Sequence, residues 1–264
     1  KLYPVEKIPK VVGGLSKNCL NLGLNLYGLV VNSVHPVSNT KVAEMTKLLE
    51  NIHRCINISL VNELKPLCLE MGIDIYEVIN AASTKPFGFT PFYPGPGLGG
   101  HCIPVDPFYL TWKAREYKMN TKFIELAGEV NAEMPYFVLN RTIEALNNQC
   151  KSIKKSKILI LGISYKKNVD DIRESPALEI IKLLLKNHAI VHYSDPFFPV
   201  FPESRNLSYE SNSVKINKNN LNKYDLILLI TNHDAFDYKL IEKESSLIVD
   251  TRGVYQASSK VILA

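Results

Sequence analysis

The sequence lacks paired cysteine motifs. Its five cysteines are odd in number, widely spaced and nowhere arranged as Cys-x-x-Cys. Neither a zinc site nor a disulfide framework is therefore indicated, and we predict no metal site. Free thiols persist in a reducing compartment, so we expect a cytoplasmic protein. The cysteines are Cys19, Cys55, Cys68, Cys102 and Cys150.

Long apolar runs, a signal peptide and a strong charge imbalance are also missing. No apolar stretch approaches the ~18 residues of a membrane helix, and residues 1–4 are typical of mid-domain sequence. The net charge of +5 suits an anionic small substrate and is too weak to indicate nucleic acid. The basic run at residues 151–157 lacks interleaved aromatics, so we interpret it as a solvated linker. We expect neither a membrane nor nucleic acid as a partner.

Glycine and proline are concentrated in residues 94–100, which hold four glycines and two prolines. This density excludes a helix and disfavours a strand. The spacing of Gly95, Gly97 and Gly100 matches G-x-G-x-x-G, but flanking prolines remove the strand and helix that a dinucleotide-binding turn requires. Two interpretations stay open: a loop that presents Cys102 as a nucleophilic thiol, or a structural glycine turn beside a buried cysteine.

The first 150 residues combine short strands with long helical patterns. Polar caps and apolar residues at helical spacing predict one long helix, which Pro66 should kink and Gly72 should end. Pro135 should break a second long helix. Predicted strands are 11–14 and 30–34, and predicted helices are 20–29, 38–71, 74–82, 108–117 and 122–147.

Residues from 157 onward alternate apolar strands with helices. This order predicts a parallel, doubly wound sheet, which binds ligands at the carboxyl ends of its strands. Lys166, Arg173 and Arg252 follow strands and together would suit a diphosphate, although ordinary surface charge explains them as well. Predicted strands are 157–161, 190–193, 226–230 and 247–249, predicted helices are 175–186 and 235–241, and residues 195–222 should be irregular.

Lys47 and Asn51 lie four residues apart on the predicted long helix and so share a face. From these residues alone, a solvated helix lysine is the simpler interpretation of Lys47.

Four stretches together resemble the nucleotide-sugar 6-dehydrogenase family, which includes the UDP-glucose, UDP-N-acetylglucosamine and UDP-N-acetylmannosamine dehydrogenases. They stand in the family's order over nearly the whole chain: residues 43–51, 95–107, 161–168 with 173–176, and 250–253. The UDP-N-acetylglucosamine 6-dehydrogenase branch looks most similar, because of residues 85–89, 128–131 and 134–135.

The resemblance implies three domains, of which the NAD-binding Rossmann domain is absent here except for a C-terminal remnant at residues 1–34. Residues 35–150 would form the helical central domain with the cysteine loop, which dimerises through its long spine helix. Residues 151–264 would form a C-terminal, Rossmann-like UDP-sugar-binding domain. We thus expect an α/β chain that uses NAD and a UDP-N-acetylhexosamine but is inactive alone, as a fragment of an enzyme.

The resemblance also assigns a mechanism, in which a sugar C6 alcohol becomes a carboxylate through two hydride transfers to NAD. Cys102 would be the nucleophile of a thiohemiacetal and a thioester. Lys47 and Asn51 would stabilise an oxyanion, and Asp106 would orient a water or act as a base. The uronic acid would supply surface polysaccharide. The alternative is a non-catalytic UDP-sugar-binding or dimerisation module left after loss of the NAD domain.

Substrate-binding residues follow from the same resemblance. Arg173 would reach NAD from the C-terminal domain. We do not expect His101 to be catalytic, and predict that it makes a backbone hydrogen bond. The residues implied to contact the UDP-sugar are Lys166, Arg252, Phe92, Tyr93 and Gly99, with Lys85 lent by a neighbouring subunit.

Overall fold

The structure, a computed structural model, describes residues 4–203 and 207–264. The helices are α1 (Lys17–Gly28), α2 (Thr40–Glu70), α3 (Ile75–Ala82), α4 (Asp106–Glu116), α5 (Lys122–Asn147), α6 (Pro176–Lys186), α7 (Lys218–Leu221) and α8 (Tyr238–Glu244). The strands are β1 (Lys10–Gly13), β2 (Val34–Val37), β3 (Lys157–Leu161), β4 (Ile190–Ser194), β5 (Leu226–Leu229), β6 (Ile248–Asp250) and β7 (Val261–Leu263). The chain divides into two compact units, one up to Arg54 and one from Cys55 onward, with the boundary inside α2.

In the first unit, β1 and β2 form a parallel pair joined through α1. The predicted strand at residues 30–34 is wrong, because the amides of Val30 and Val31 both donate to the Tyr27 carbonyl and still close the end of α1. Pairing with β1 begins only at Val34. Residues 1–3 of the predicted remnant, and so most of the stretch interpreted as mid-domain sequence, lie outside the described residues.

The long helix is confirmed as α2, which continues through Pro66 to Glu70, and Gly72 with φ +70° lies in the turn just after it. Within the second unit the buried face of α2 is partly polar, unlike that of a simple core helix, although Cys55 and Val61 are buried there too. The buried face carries the polar residues Ser59, Asn62 and Lys65. The opposite face leaves apolar side chains 36–54% exposed, namely Leu60, Leu64 and Leu67.

Helix α5 runs unbroken past Pro135, so the predicted break there is wrong. A proline lacks the amide that would bond to the carbonyl four residues earlier, here that of Asn131. The backbone of Gly97 lies against this notch: a Cβ on Gly97 would stand 3.3 Å from the Asn131 oxygen. The glycine loop, residues 94–100, therefore packs against α5 at the position where Pro135 leaves the Asn131 carbonyl without its helical amide donor.

The C-terminal sheet has five parallel strands in the order β4-β3-β5-β6-β7, which confirms the parallel α/β architecture. Alternate residues of β3 face opposite sides: Ile158 and Ile160 pack with α5 and α6, whereas Leu159 and Leu161 pack with α7 and α8. From β3 the chain goes first to β4 on one side and later to β5 on the other. The switch point between β3 and β5 is where such sheets bind ligands.

Two details of this region differ from prediction. Helix α8 begins at Tyr238 rather than at residue 235, because the Asp237 side chain caps it by accepting from the Leu240 amide at 3.0 Å. The short strand β7 was not predicted. The irregular stretch 195–222 contains α7 and a bridge between Val200 and Asn212, while its residues 204–206 lie outside the described ranges. Within those ranges, no helix is long and apolar enough to cross a membrane.

Candidate functional site

The glycine loop is anchored at its start by buried asparagine side chains of the second unit. The Gly95 amide donates to Asn62 Oδ1 at 2.9 Å, and Asn62 Nδ2 donates to Asn131 Oδ1 at 2.8 Å. Asn131 in turn donates to Ser59 Oγ. Buried polar groups satisfied in this way fix geometry, so α2 and α5 hold the loop in one place.

The far end of the loop packs on the segment that follows β3. The Gly100 amide donates to the Arg173 carbonyl at 2.9 Å, and Gly100 has φ +94°. A Cβ there would stand 2.9 Å from the Tyr165 ring, and one on Gly99 would stand 2.7 Å from the Glu174 carbonyl oxygen. Glycine therefore permits a close approach between the cysteine loop and the carboxyl edge of the sheet.

Cys102 is exposed at the end of this loop. Its carbonyl accepts from the Val105 and Asp106 amides at 3.2 and 2.8 Å, which leads the chain into α4. Instead of the predicted backbone bond, the His101 ring contacts the thiol, with Nδ1 3.7 Å from Cys102 Sγ. The thiol therefore stands beside an imidazole and close to the N-terminus of α4.

Arg252 lies between the sheet edge and the start of the glycine loop. Its Nε donates to the Ile230 carbonyl at 2.7 Å, and a Cβ on Gly95 would meet its Nη1 at 2.5 Å. Burial lowers the pKa of the Arg252 guanidinium, against the opposing negative charge of Asp250. This predicted substrate residue is thus held at the end of β6 and directly against the loop.

Asp250 fixes the turn that carries Arg252. The carboxylate is fully buried and accepts from three backbone amides, those of Arg252 at 2.7 Å, Val254 at 2.7 Å and Tyr255 at 2.9 Å. One side chain therefore closes the whole turn after β6.

The segment after β3 is held by a buried Asp195–His233 pair, with Nε2 and Oδ2 3.1 Å apart. Asp195 also accepts from the Ile163 amide, and His233 Nδ1 accepts from the Asn168 amide at 3.0 Å. Burial raises the pKa of Asp195, but the hydrogen bonds from His233 and the backbone outweigh it and leave the pKa below its usual value. The carboxylate stays charged and keeps this segment in place.

Neighbouring cations on that segment differ in their partners. Lys167 pairs with Asp234 at 3.0 Å, and Arg173 pairs with Asp171 at 2.7 Å, a bond that lowers the pKa of Asp171. Lys166 is exposed and forms no ion pair within the part of the chain that the structure describes. It is therefore the cation of this segment that is available to a ligand.

The aromatic residues before the loop are held by α3. Phe92 is half-buried against an apolar cluster that includes Val61 and Ile79. The Tyr93 hydroxyl donates to Asn80 Oδ1 at 2.8 Å, and its ring stacks on Tyr76 with 6.5 Å between centroids. Lys85 is exposed beyond the end of α3.

Lys47 and Asn51 lie one turn apart on α2 within the first unit. Lys47 is exposed and its Nζ lies 3.3 Å from Glu50 Oε2, while Asn51 is buried and accepts from the Arg54 guanidinium. Cys102 and Asp106 belong to the second unit. The second unit by itself brings together the cysteine loop, the segment carrying Lys166 and Arg173, and the turn carrying Arg252.

Sequence reasoning missed the residues that support this arrangement. They are Asn62, Lys65, Tyr76, Tyr165 and Asp250. The polar residues Ser59, Asn62 and Lys65 recur at helical spacing on α2, a signal that could have identified a buried polar face.

Comparison with known proteins gives matches over most of the chain. Residues 41–133 match the central domain of the UDP-glucose/GDP-mannose dehydrogenase family, and residues 159–257 match the UDP binding domain of that family. A UDP-N-acetyl-D-mannosamine dehydrogenase of Methanococcus maripaludis is 34% identical over 94% of this chain and 56% of its own length. An NDP-N-acetyl-D-galactosaminuronic acid dehydrogenase of Ralstonia solanacearum is also 34% identical, with the same coverage.

A solved structure of a UDP-D-ManNAc dehydrogenase from Pyrococcus horikoshii is similar in fold, with a TM-score of 0.84 and 28% identity. The match covers 97% of this chain and 60% of that one. The chain thus spans little more than half the length of the relatives it matches.

Proposed function

Because this chain belongs to the UDP-glucose/GDP-mannose dehydrogenase family, we propose that it is the substrate-binding and thiol-bearing portion of an NAD-dependent UDP-N-acetylhexosamine 6-dehydrogenase. One observation carries the proposal: the Cys102 loop is hydrogen-bonded to the segment after β3 and packed on Arg252. An exposed thiol therefore stands at the edge where a parallel sheet binds nucleotides.

NAD would accept the hydrides when bound, but the described residues do not form its principal site. The chain before Gly95 is irregular and α4 begins only at Asp106, so the Gly95–Gly100 spacing has neither the strand nor the helix of a dinucleotide-binding turn. We assign the main NAD-binding domain to residues outside these 264, with Arg173 reaching toward the cofactor.

The chain's own residues carry the covalent chemistry in this proposal. The C6 alcohol first loses its hydroxyl proton and a hydride to become an aldehyde, and the Cys102 sulfur then adds to the carbonyl carbon, giving a thiohemiacetal. Loss of a hydride from C6 yields a thioester, and water then replaces the sulfur to release the carboxylate and the thiol. Asp106 orients that water, while Lys47 and Asn51 stabilise the negative oxygen.

The UDP part is bound by cations and by backbone. Lys166 and Arg252 contact the diphosphate, which suits the exposed ammonium and the guanidinium fixed by Ile230. The sugar and phosphates lie along Phe92, Tyr93 and Gly99, and Lys85 reaches a neighbouring subunit's site. The uronic acid product would supply surface polysaccharide, and the reduced thiol fits a cytoplasmic setting.

We propose that the protein is a homodimer through α2. The leucines on the uncovered face of that helix support this, since Leu60 and Leu67 are 53% and 54% exposed while the opposite face is buried. Such a contiguous apolar face is typical of a protein interface.

A non-catalytic UDP-sugar-binding or dimerisation module is the second candidate. The observation that favours it is the coverage of little more than half of each relative. Both candidates predict that this chain binds a UDP-sugar. They differ in whether the chain, together with an NAD-binding domain, would oxidise that sugar.

Titration calorimetry tests the proposal with UDP, UDP-N-acetylglucosamine and UDP-N-acetylmannosamine, alongside NADH absorbance. We expect binding without steady-state NADH formation. Lys166→Met should weaken binding ~10-fold through loss of a charge-assisted contact, and Lys167→Met, the matched control already paired with Asp234, should not. Steady-state NADH formation would contradict the assignment as an incomplete portion. Absence of UDP affinity would contradict the assignment of substrate binding.

A further inference from the structure

Lys65 is a buried lysine that the proposed chemistry leaves without a role. It lies on the inner face of α2 and is 1% exposed. Its Nζ donates to the Thr251 carbonyl at 3.0 Å, and the Tyr76 hydroxyl donates to the same oxygen at 3.1 Å. The ammonium also lies 5.8 Å from the centroid of the Tyr76 ring, within range of a cation–π interaction. Two donors from α2 and α3 thus converge on one carbonyl of the turn after β6.

This carbonyl belongs to the turn that presents Arg252. Asp250 holds the turn from one side through the Arg252 amide, and Ile230 accepts from Arg252 Nε. On α2, Asn62 precedes Lys65 by three residues, so the two side chains lie on one face of the helix. Asn62 holds the Gly95 amide, and Gly95 lies against the Arg252 guanidinium. Two side chains on one face of α2 therefore hold the neighbours of Arg252: Lys65 bonds to the preceding carbonyl, and Asn62 bonds to the glycine that lies against the guanidinium.

Burying an ammonium to form one hydrogen bond is unfavourable in free energy, because the charge loses its hydration. Burial lowers the pKa of Lys65 to about 7; the carboxylate of Asp250 opposes this shift and the charge of Arg252 adds to it. A neutral apolar side chain would fill the same space without that penalty. The presence of a lysine here points to a use for its donor and its charge.

We propose that Lys65 is a positioning residue for the UDP-sugar: together with Tyr76 it fixes the Thr251 backbone, while Asn62 holds Gly95, so that Arg252 is aimed at the diphosphate. This inference rests on the proposed function. Lys65 acts through Arg252 and does not itself contact the ligand.

The charge of Lys65 gives this role a distinctive signature. The groups facing it are Asp250, Arg252 and Tyr76. A diphosphate bound at Arg252 adds negative charge nearby and favours the protonated lysine. With a pKa about 7 in the free protein, Lys65 is mostly neutral at pH 8.5, so binding must then take up a proton. UDP-sugar affinity should therefore fall as pH rises from 6.5 to 8.5.

Calorimetry with UDP-N-acetylglucosamine and UDP-N-acetylmannosamine at both pH values, each in two buffers of different ionisation enthalpy, tests the inference on the full chain. We expect wild-type affinity to fall ~10-fold over this range with net proton uptake at pH 8.5, since one pKa unit corresponds to tenfold. Lys65→Met should bind ~10-fold more weakly at pH 6.5 and lose both pH dependence and proton uptake. Lys65→Gln, which keeps a donor, should bind better than Lys65→Met and also without pH dependence.

Lys182→Met is the matched control, because Lys182 is exposed on α6 and paired with Glu179. It should behave as wild type. Circular dichroism checks that each variant is folded. If Lys65→Met does not fold, Lys65→Gln is used in its place to measure the loss of pH dependence. This inference alone would be overturned if wild-type affinity and proton uptake did not change with pH. It would also be overturned if folded Lys65 variants kept the pH dependence and the proton uptake of the wild type. Absence of wild-type binding at both pH values would overturn the proposed function and this inference with it.

Discussion

Bound UDP-N-acetylhexosamine is expected to slow alkylation of Cys102 by iodoacetamide ~100-fold when present at 100 times its dissociation constant, because only ~1% of the chain then remains unoccupied. The thiol is exposed, so the reagent can reach it in the free chain. In the proposed complex, the sugar covers Sγ with its C6 group. The measurement is the rate of mass increase of the Cys102 peptide, with and without ligand.

The chain provides its own controls for this experiment. Cys19 and Cys150 are also exposed and free, and neither lies on the glycine loop. Their alkylation rates should be the same in both samples. Equal protection of all three thiols would indicate a general effect on the fold, and an unchanged rate at Cys102 under saturating ligand would refute its place in the sugar site.

Replacement of Asp250 by alanine is expected to lower the free energy of unfolding by ~3 kcal/mol or more, since each buried amide left unpaired costs ~1–3 kcal/mol. Three amides depend on this carboxylate, those of Arg252, Val254 and Tyr255. Urea denaturation followed by circular dichroism gives the free energy, because its midpoint shifts with stability.

Asp234→Ala is the matched control for this substitution. Asp234 is exposed and pairs with Lys167 at the surface, so its loss should change stability by no more than ~1 kcal/mol. Asp250→Asn keeps the shape of the side chain and one acceptor oxygen. Its free energy of unfolding should therefore lie between those of the Asp250→Ala and Asp234→Ala variants. If Asp250→Ala unfolds at the same urea concentration as the Asp234 variant, the carboxylate does not hold the turn that presents Arg252.

The architecture was predictable where the pattern is local. The apolar strands around residues 158–161 and 226–229 indicate a sheet buried on both faces, and helical spacing indicates α2. The errors lie where tertiary contacts override local preference. Packing of Gly97 on α5 accompanies an unbroken helix at Pro135, and pairing with β1 begins at Val34 rather than at Val30.

Within the candidate site, the cations that follow strands could be predicted, because the carboxyl edge of a parallel sheet is a known ligand site. Lys166 and Arg252 were predicted in this way. The supporting residues were missed because most of their partners are backbone groups far away in the sequence; the spacing of Ser59, Asn62 and Lys65 indicates a polar helix face but not what it contacts. Lys65 bonds to a carbonyl 186 residues further along the chain. A lysine on a helix that also carries exposed leucines is read from sequence as solvated, and only the fold reveals that it is buried.

A crystal structure of this chain with UDP tests the central claim most directly. We expect the nucleotide at the switch point between β3 and β5, with its diphosphate within hydrogen-bonding distance of Arg252 and Lys166 and its distal phosphate directed toward the loop that carries Cys102. UDP bound elsewhere on the chain, with Arg252 and Lys166 free of contact, would contradict the proposed function.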